Sequence, residues 1–188
     1  MKSQDIVILL KLISLDRKIS SDEYHSYSSS IQEQYSVRSL GQSLGISKTA
    51  VNESINRSLD SGLAIKSRNY EHSKTNNKAL LDFIIFGVKY VFPIKPGPLT
   101  RGVPTSFSAP ILEKKLMSAG EAKMVWPFAE GNTKGQSITP LYKSVPFAVQ
   151  KDPFLYECLA LVDALRLGNP RERNLAQEHL SDRLLPYD

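Results

Sequence analysis

Ser36-Val37-Arg38-Ser39-Leu40-Gly41-Gln42-Ser43-Leu44-Gly45-Ile46-Ser47-Lys48-Thr49-Ala50-Val51-Asn52-Glu53-Ser54-Ile55-Asn56-Arg57-Ser58-Leu59-Asp60-Ser61-Gly62-Leu63 contains two helix patterns separated by a glycine. Ser36 can cap a first helix in which Val37, Leu40 and Leu44 keep an apolar stripe at three- and four-residue spacing. Gly45 follows where that helix must stop and the chain must turn with positive φ. Ile46 fills the corner. Ser47 caps a second helix with Val51, Ile55 and Leu59 on its inner face at i, i+4, i+8. Gly62 ends it, and Leu63-Ala64-Ile65 reads as a short strand.

Beyond this segment, Lys66 to Lys78 is polar and basic with almost no apolar content, which predicts a loop or a hairpin tip. Asn76 or Asn77 then caps a helix running through Ala79 to Phe86 and ending at Gly87. That run is apolar nearly all round, so it is expected to be covered by the rest of the chain or by a second subunit. On the N-terminal side, Ile6, Leu9, Leu10, Leu12, Ile13 and Ile19 predict a helix from about Gln4 to Asp16, with Asp5 as an N-cap or first-turn acid. The serines at 20–21 and 26–30 read as turn or helix-start chemistry.

On the C-terminal side, eight of the chain's 11 prolines fall between Val88 and Pro146, which excludes long helices there. An irregular connecting region is expected, with extended pieces at Lys89-Tyr90-Val91-Phe92 and Met124-Val125-Trp126. Its aromatic residues give it apolar area to bury, so it should fold. Asp152-Pro153 opens a helix with Leu155, Leu159, Val162 and Leu165 inward, ending at Gly168. Asn169-Pro170 opens another through Leu175, Ala176, Leu180 and Leu184, stopped by Pro186. The short connection makes the two antiparallel neighbours.

Composition sets wide bounds. A chain of 188 residues with 41% hydrophobic and 23% charged residues is one large or two small globular domains, able to fold without metal or disulfide help. A net charge of +5 permits a polyanionic partner without demanding one. The single cysteine, Cys158, has no partner for an internal disulfide and sits in an apolar helical run, where a buried structural thiol is expected. The apolar stretch Ile6 to Leu15 is too short to span a bilayer and lacks a cleavage site after it. A cytoplasmic protein without membrane contact is the expectation.

Two short helices held at a fixed angle let the second project its outer face into a DNA major groove. The angle needs a small residue within the first helix, a glycine at the turn and an apolar residue after it. Gly41, Gly45 and Ile46 supply these. The second helix would present Lys48, Thr49, Asn52, Glu53 and Asn56 outward. Ser47, Thr49 and Asn52 have the hydrogen-bonding chemistry for base edges or phosphates, and Lys48 at the N-terminal end is placed for a phosphate. Arg57, further along, reads as a backbone contact or as no contact. Between Val37 and Leu80 there are seven basic and three acidic residues, a net +4. A basic surface of this kind supplies the salt-dependent part of DNA affinity.

The stretch Val37 to Val51, followed by Ser58-Leu59-Asp60-Ser61-Gly62-Leu63, resembles the DNA-binding domain of winged helix-turn-helix regulators of the MarR-like type. The resemblance covers less than half of the chain. It implies that residues 48–57 read DNA and that residues 66–78 form the wing. The expected DNA-contacting set is therefore Arg38, Ser47, Lys48, Thr49, Asn52, Asn56, Arg57, Lys66, Arg68, His72 and Lys74. The segments Tyr90-Val91-Phe92-Pro93, Thr100 to Thr105, Ala109-Pro110 and Asp163 to Arg173 are similar to a family of winged-helix proteins that accompany nucleotidyltransferase-like partners in toxin–antitoxin or defence loci. That similarity implies an alternative role: an antitoxin-like module that neutralises a partner enzyme and autoregulates its operon.

The expected fold is mainly α (α+β). A winged helix-turn-helix occupies residues 1–88. A Pro/Gly-rich connecting region with short strands and a C-terminal helical hairpin occupy residues 89–188. The expected function is a sequence-specific transcriptional regulator, a repressor, that binds double-stranded DNA as a homodimer on a near-palindromic site.

Other clusters have plain structural readings beside functional ones. Lys95 to Pro104 matches no phosphate-loop spacing and reads as a structural loop; if it has a function, Arg101 is the residue that would clamp a phosphate or a partner carboxylate. Asp163, Arg166, Arg171, Glu172 and Arg173 read as a solvated ion-pair cluster, or else as a partner-binding patch. His25, His72 and His179 fall in no metal-ligand spacing, although His72 could reach phosphate from the wing. Tyr24, Tyr27 and Tyr35 are expected to pack beneath the second helix rather than stack on bases. No catalytic set, cofactor or metal is expected.

Overall fold

The computed structural model describes residues 1–21, 29–67, 72–113 and 123–185. Among the described residues the chain is mostly helical with two small sheets. Its axis is helix α1 (Ser3–Ser21). Ile6, Val7, Ile8, Leu9, Leu10, Leu12 and Ile13 are all at most 2% exposed. A helix apolar on every side has to be wrapped, and α1 is, chiefly by the helices α4 (Lys48–Asp60) and α9 (Pro153–Leu167). It runs one turn past the Asp16 expected from sequence.

Between α1 and the first sheet lie α2 (Ser29–Gln34) and α3 (Val37–Leu44). After α4 the chain forms an antiparallel pair, β1 (Ala64–Lys66) and β2 (Ser73–Thr75), in the register Ala64↔Thr75, Ile65↔Lys74 and Lys66↔Ser73. The Thr75 hydroxyl donates to the Leu9 carbonyl at 3.0 Å, which ties the pair to α1. Helix α5 (Asn77–Phe86) follows, capped by Asn76, whose side chain accepts the Ala79 N–H. Leu80, Leu81 and Ile84 are buried, but Phe86 is 69% exposed, so α5 is covered on one side only.

The expected strand at Lys89–Phe92 is instead a short helix, α6 (Val88–Val91). The Tyr90 and Val91 N–H groups donate to the Gly87 carbonyl and that of Phe92 to Val88, continuing the helical bonding. Pro93 ends it, having no N–H and disfavouring helical backbone at the residue before it.

The proline-rich region is more regular than its composition suggests. Strands β3 (Leu99–Pro104), β4 (Met124–Pro127) and β5 (Thr133–Ser137) each pair with both others and close on themselves, β3 antiparallel to both and β4 parallel to β5. Closure this tight needs glycine: a Cβ on Gly102 would lie 1.9 Å from the Trp126 carbonyl oxygen. A 3-10 turn (Ser106–Ser108) and the short helix α7 (Pro110–Glu113) follow β3, while α8 (Val145–Ala148) and a second 3-10 turn (Val149–Lys151) lead into α9.

Helices α9 and α10 (Pro170–Leu184) form the expected hairpin. A capping box starts α10: the Asn169 side chain accepts the Glu172 N–H while Glu172 accepts the Asn169 N–H. Apolar side chains from both sides of residue 88 lie in one continuous core. Polar ties cross it as well. Lys11 Nζ lies 2.7 Å from Asp152 Oδ2 with both groups buried, and Asn77 Nδ2 donates to the Leu184 carbonyl at 2.9 Å. None of the described helices is long and apolar enough to cross a membrane.

Candidate nucleic-acid interface

The geometry of the α3–α4 corner follows from a few residues. The Ser36 hydroxyl accepts the Ser39 N–H at 3.1 Å and starts α3. Leu40 and Leu44 are fully buried. Gly45 takes φ 64°, ψ 35°, and its N–H returns to the Gly41 carbonyl. At Gly41 the turn lies directly on the helix: a Cβ there would stand 2.6 Å from the Ile46 carbonyl oxygen. The Ser47 hydroxyl accepts the Ala50 N–H at 3.3 Å and starts α4. Thus Gly41, Gly45 and Ile46 hold the positions expected of them, and Ile46 is 5% exposed.

Helix α4 is divided sharply by burial. Val51, Ser54 and Ser58 face inward and are buried. Lys48, Thr49, Asn52, Glu53 and Asn56 are exposed. Positions 48, 52 and 56, one turn apart, lie in a row along the helix, and Thr49 lies beside the first. Among the described residues no side-chain hydrogen bond joins Lys48, Thr49, Asn52 or Asn56 to the rest of the chain. The hydroxyl of Ser47 is committed as a cap acceptor but keeps its own proton to donate. Arg38 is exposed on α3, and Lys66 is exposed on β1. Lys74, half-buried, lies on β2 opposite Ile65. Arg68 falls outside the described residues, as do Tyr24, Tyr27 and His25.

Two members of the expected set are used internally. Arg57 does not face outward: its Nη2 lies 2.7 Å and its Nε 3.2 Å from the two oxygens of Asp5, a carboxylate 1% exposed at the start of α1. Burial alone would raise the Asp5 carboxyl, but the Arg57 guanidinium and the Lys2 N–H outweigh it and hold the group below its ordinary value. Arg57 is therefore a brace that fixes the roll of α4 against α1. A carboxylate buried at the start of a largely apolar helix needs a cation, and among the described residues Arg57 supplies it. His72 likewise does not reach outward. Its ring stacks on Tyr35 at 3.6 Å between centroids and 16° between planes. Tyr35, 6% exposed, donates its hydroxyl to Asp16 Oδ1 at 2.6 Å. Burial, aided by the charge on Lys74 and opposed by that on Asp16, lowers the His72 pKa, which favours a neutral ring, poorly suited to phosphate.

Compared with known protein families, curated proteins and solved structures, the chain matches none.

The residues expected at a partner surface divide in the same way. Asp163 and Arg166 do not form a solvated pair. Their side chains are 1% and 4% exposed, 2.6 Å apart. Asp163 also accepts from the Trp126 indole N–H at 2.6 Å and the Thr105 hydroxyl at 3.0 Å. Arg166 donates to the Phe92 and Thr139 carbonyls. This network staples the three-stranded sheet to α9, so both residues leave the partner list. A carboxylate on the buried face of α9 had to be satisfied internally. Burial pushes the Asp163 carboxyl up, against the pull of Arg166, Trp126 and Thr105. Arg171 and Arg101 are exposed and Arg173 is half-buried. Cys158 is fully buried, and burial pushes its thiol up. Among the described residues no three His, Cys, Asp or Glu side chains gather into a metal-holding group.

Proposed function

We propose that the chain binds double-stranded DNA sequence-specifically, with α3 and α4 as a helix-turn-helix, the β1–β2 hairpin as its wing, and α4 lying in the major groove. The role that follows is transcriptional regulation, as a repressor. The observation that carries this is the outward row of α4: Lys48, Thr49, Asn52 and Asn56 form an exposed face of hydrogen-bonding side chains with no partner among the described residues, on a helix whose roll is fixed by the Arg57–Asp5 pair. A solvated helix face needs only charge for solubility; this one is rich in side chains that can both donate and accept. Asn is suited to a bidentate contact with adenine and Lys to phosphate or guanine. Arg38 on α3 and Lys66 on β1 are exposed cations suited to the backbone.

The test is titration of a duplex enriched from random sequence. Asn52→Ala is expected to weaken binding by about 5- to 150-fold, the worth of one good bidentate base contact, and to relax preference at a single position. Lys48→Ala is expected to weaken all sequences alike and to flatten the salt dependence. Unchanged affinity in both variants would remove α4 from the interface.

A homodimer fits this reading. Phe86, Tyr90 and Val91 are 69%, 73% and 50% exposed on consecutive turns of α5 and α6, an apolar face of the kind expected where a second copy docks. Phe86→Glu with Tyr90→Glu should lower the mass measured by light scattering from dimer to monomer. A monomeric parent chain would rule this face out as a dimer contact.

A further inference from the structure

A second concentration of positive charge lies in the segment that contains the three-stranded sheet. Residues 89–151 hold nine basic and three acidic side chains, an excess greater than the net +5 of the whole chain. Within this region Arg101 on β3 and Lys134 on β5 are direct register partners in an antiparallel pair. Side chains so placed project from the same face, close together, and like charges there repel. Both residues are exposed. Among the described residues neither has an acidic partner within ion-pair distance, as is also true of Lys48 on α4. The neighbouring register pair on the same face is Leu99 and Gln136, which adds an amide and no acid. The opposite face cannot offset the charge, because Gly102 and Gly135 turn inward there and are buried. Strand register therefore holds a guanidinium and an ammonium on one face, with no acidic side chain in ion-pair contact with either among the described residues.

We propose that this β3–β5 face binds the phosphate backbone of duplex DNA, with Arg101 and Lys134 as the phosphate-contacting pair, outside the contact made by α4. The proposal rests on the DNA-binding reading and extends its footprint. Charge complementarity selects the occupant: an Arg fork and a neighbouring Lys suit phosphate oxygens and carry no base information. Both residues lie on strands of the small sheet and not on α3 or α4, so their contribution is to affinity and salt dependence rather than to sequence choice.

The experiment compares the full chain with the double variant Arg101→Gln, Lys134→Gln, and separately with Lys48→Gln. Retention on immobilised heparin and binding to a duplex of random sequence across a salt series are both measured. The double variant should elute from heparin at lower salt, and its slope of log K against log salt should be shallower by about 1.8, the value for two lost phosphate contacts. Both positions are exposed, so the thermal midpoint should stay within 1–2 °C, on the order of a surface change, and confirms folding. Equal heparin elution together with an equal slope would overturn the proposal whatever α4 does. Weaker heparin retention with an unchanged duplex slope would overturn duplex DNA as the occupant and assign the face to another polyanion. If the double variant loses slope while Lys48→Gln does not, the sheet proposal stands and the α4 reading falls. A parent chain that binds neither heparin nor duplex overturns both.

Discussion

Asp152→Ala is expected to destabilise the protein by about 4 kcal/mol, and the structure gives the parts of that figure. Asp152 Oδ2 accepts from Lys11 Nζ at 2.7 Å, Ser14 Oγ lies 2.8 and 2.9 Å from the two oxygens, and Oδ1 accepts the Leu155 N–H at 3.1 Å as the N-cap of α9. Loss of the cap costs about 1 kcal/mol. Leaving the Lys11 ammonium buried without its counter-ion costs about 3–5 kcal/mol. Lys11 and Asp152 also border a cavity of about 560 Å³ between α3 and the Phe128–Glu130 turn. Water entering there can solvate the orphaned ammonium, which favours the lower end of that range. Against a total stability of about 5–15 kcal/mol, the loss is severe. The lone tryptophan, Trp126, is 1% exposed and reports unfolding. Urea titrations of the parent, Asp152→Ala, Lys11→Met and the double variant complete a cycle. Lys11→Met should cost far less in the Asp152→Ala background than in the parent, because it removes a charge already orphaned. A loss below about 1 kcal/mol for Asp152→Ala, small for a broken buried pair, or equal costs for Lys11→Met in both backgrounds, would refute the claim that this pair clamps α1 to α9.

Further outcomes follow from the same geometry. Gly41→Ala places a methyl 2.6 Å from the Ile46 carbonyl oxygen, so despite better helix propensity it should cost about 1–3 kcal/mol as an overpacked site and displace α4; a thermal melt and a duplex titration read the two effects, and an unshifted melt with full binding would show that the corner tolerates a side chain. The carboxyls of Asp5 and Asp152 are both held below their ordinary values, so their stabilisation is present above the ordinary carboxylate range near pH 3.9 and is lost as pH falls through the lower folded-state values. Asp163, raised by burial, opposes this trend. The urea midpoint should fall between pH 6 and pH 3, and by less in Asp5→Asn, Asp152→Asn. An equal fall in that variant would place the acid sensitivity elsewhere.

What the sequence revealed and what it hid have physical causes. The α3–α4 corner was legible because its signals are local: two serine caps, a glycine at positive φ and an apolar stripe at helical spacing lie within one short stretch. The final hairpin was legible for the same reason, since Asp152-Pro153 and Asn169-Pro170 state both helix starts. The closed three-stranded sheet was not, because its pairings join β3 to strands more than 20 residues away and rest on close backbone approach at Gly102. Only β4 was anticipated, from Met124-Val125-Trp126. The roles of Arg57, Asp163 and Arg166 were hidden by distance in the chain: an arginine on an amphipathic helix looks solvent-facing until Asp5, 52 residues earlier, is brought beneath it. Asp5 itself carried a faint signal, as an acid heading a run of buried apolar residues. Lys134 carried none, because its importance lies in the strand register opposite Arg101.

Selection of bound duplexes from a random pool by the purified full chain tests the central claim most directly. The account predicts enrichment of a defined motif, repeated with two-fold symmetry if the chain pairs, and loss of preference at one base position in each half-site when the selection is repeated with Asn52→Ala. A pool that emerges without any enriched sequence, or an identical motif from the Asn52→Ala chain together with Lys48→Ala, would contradict it.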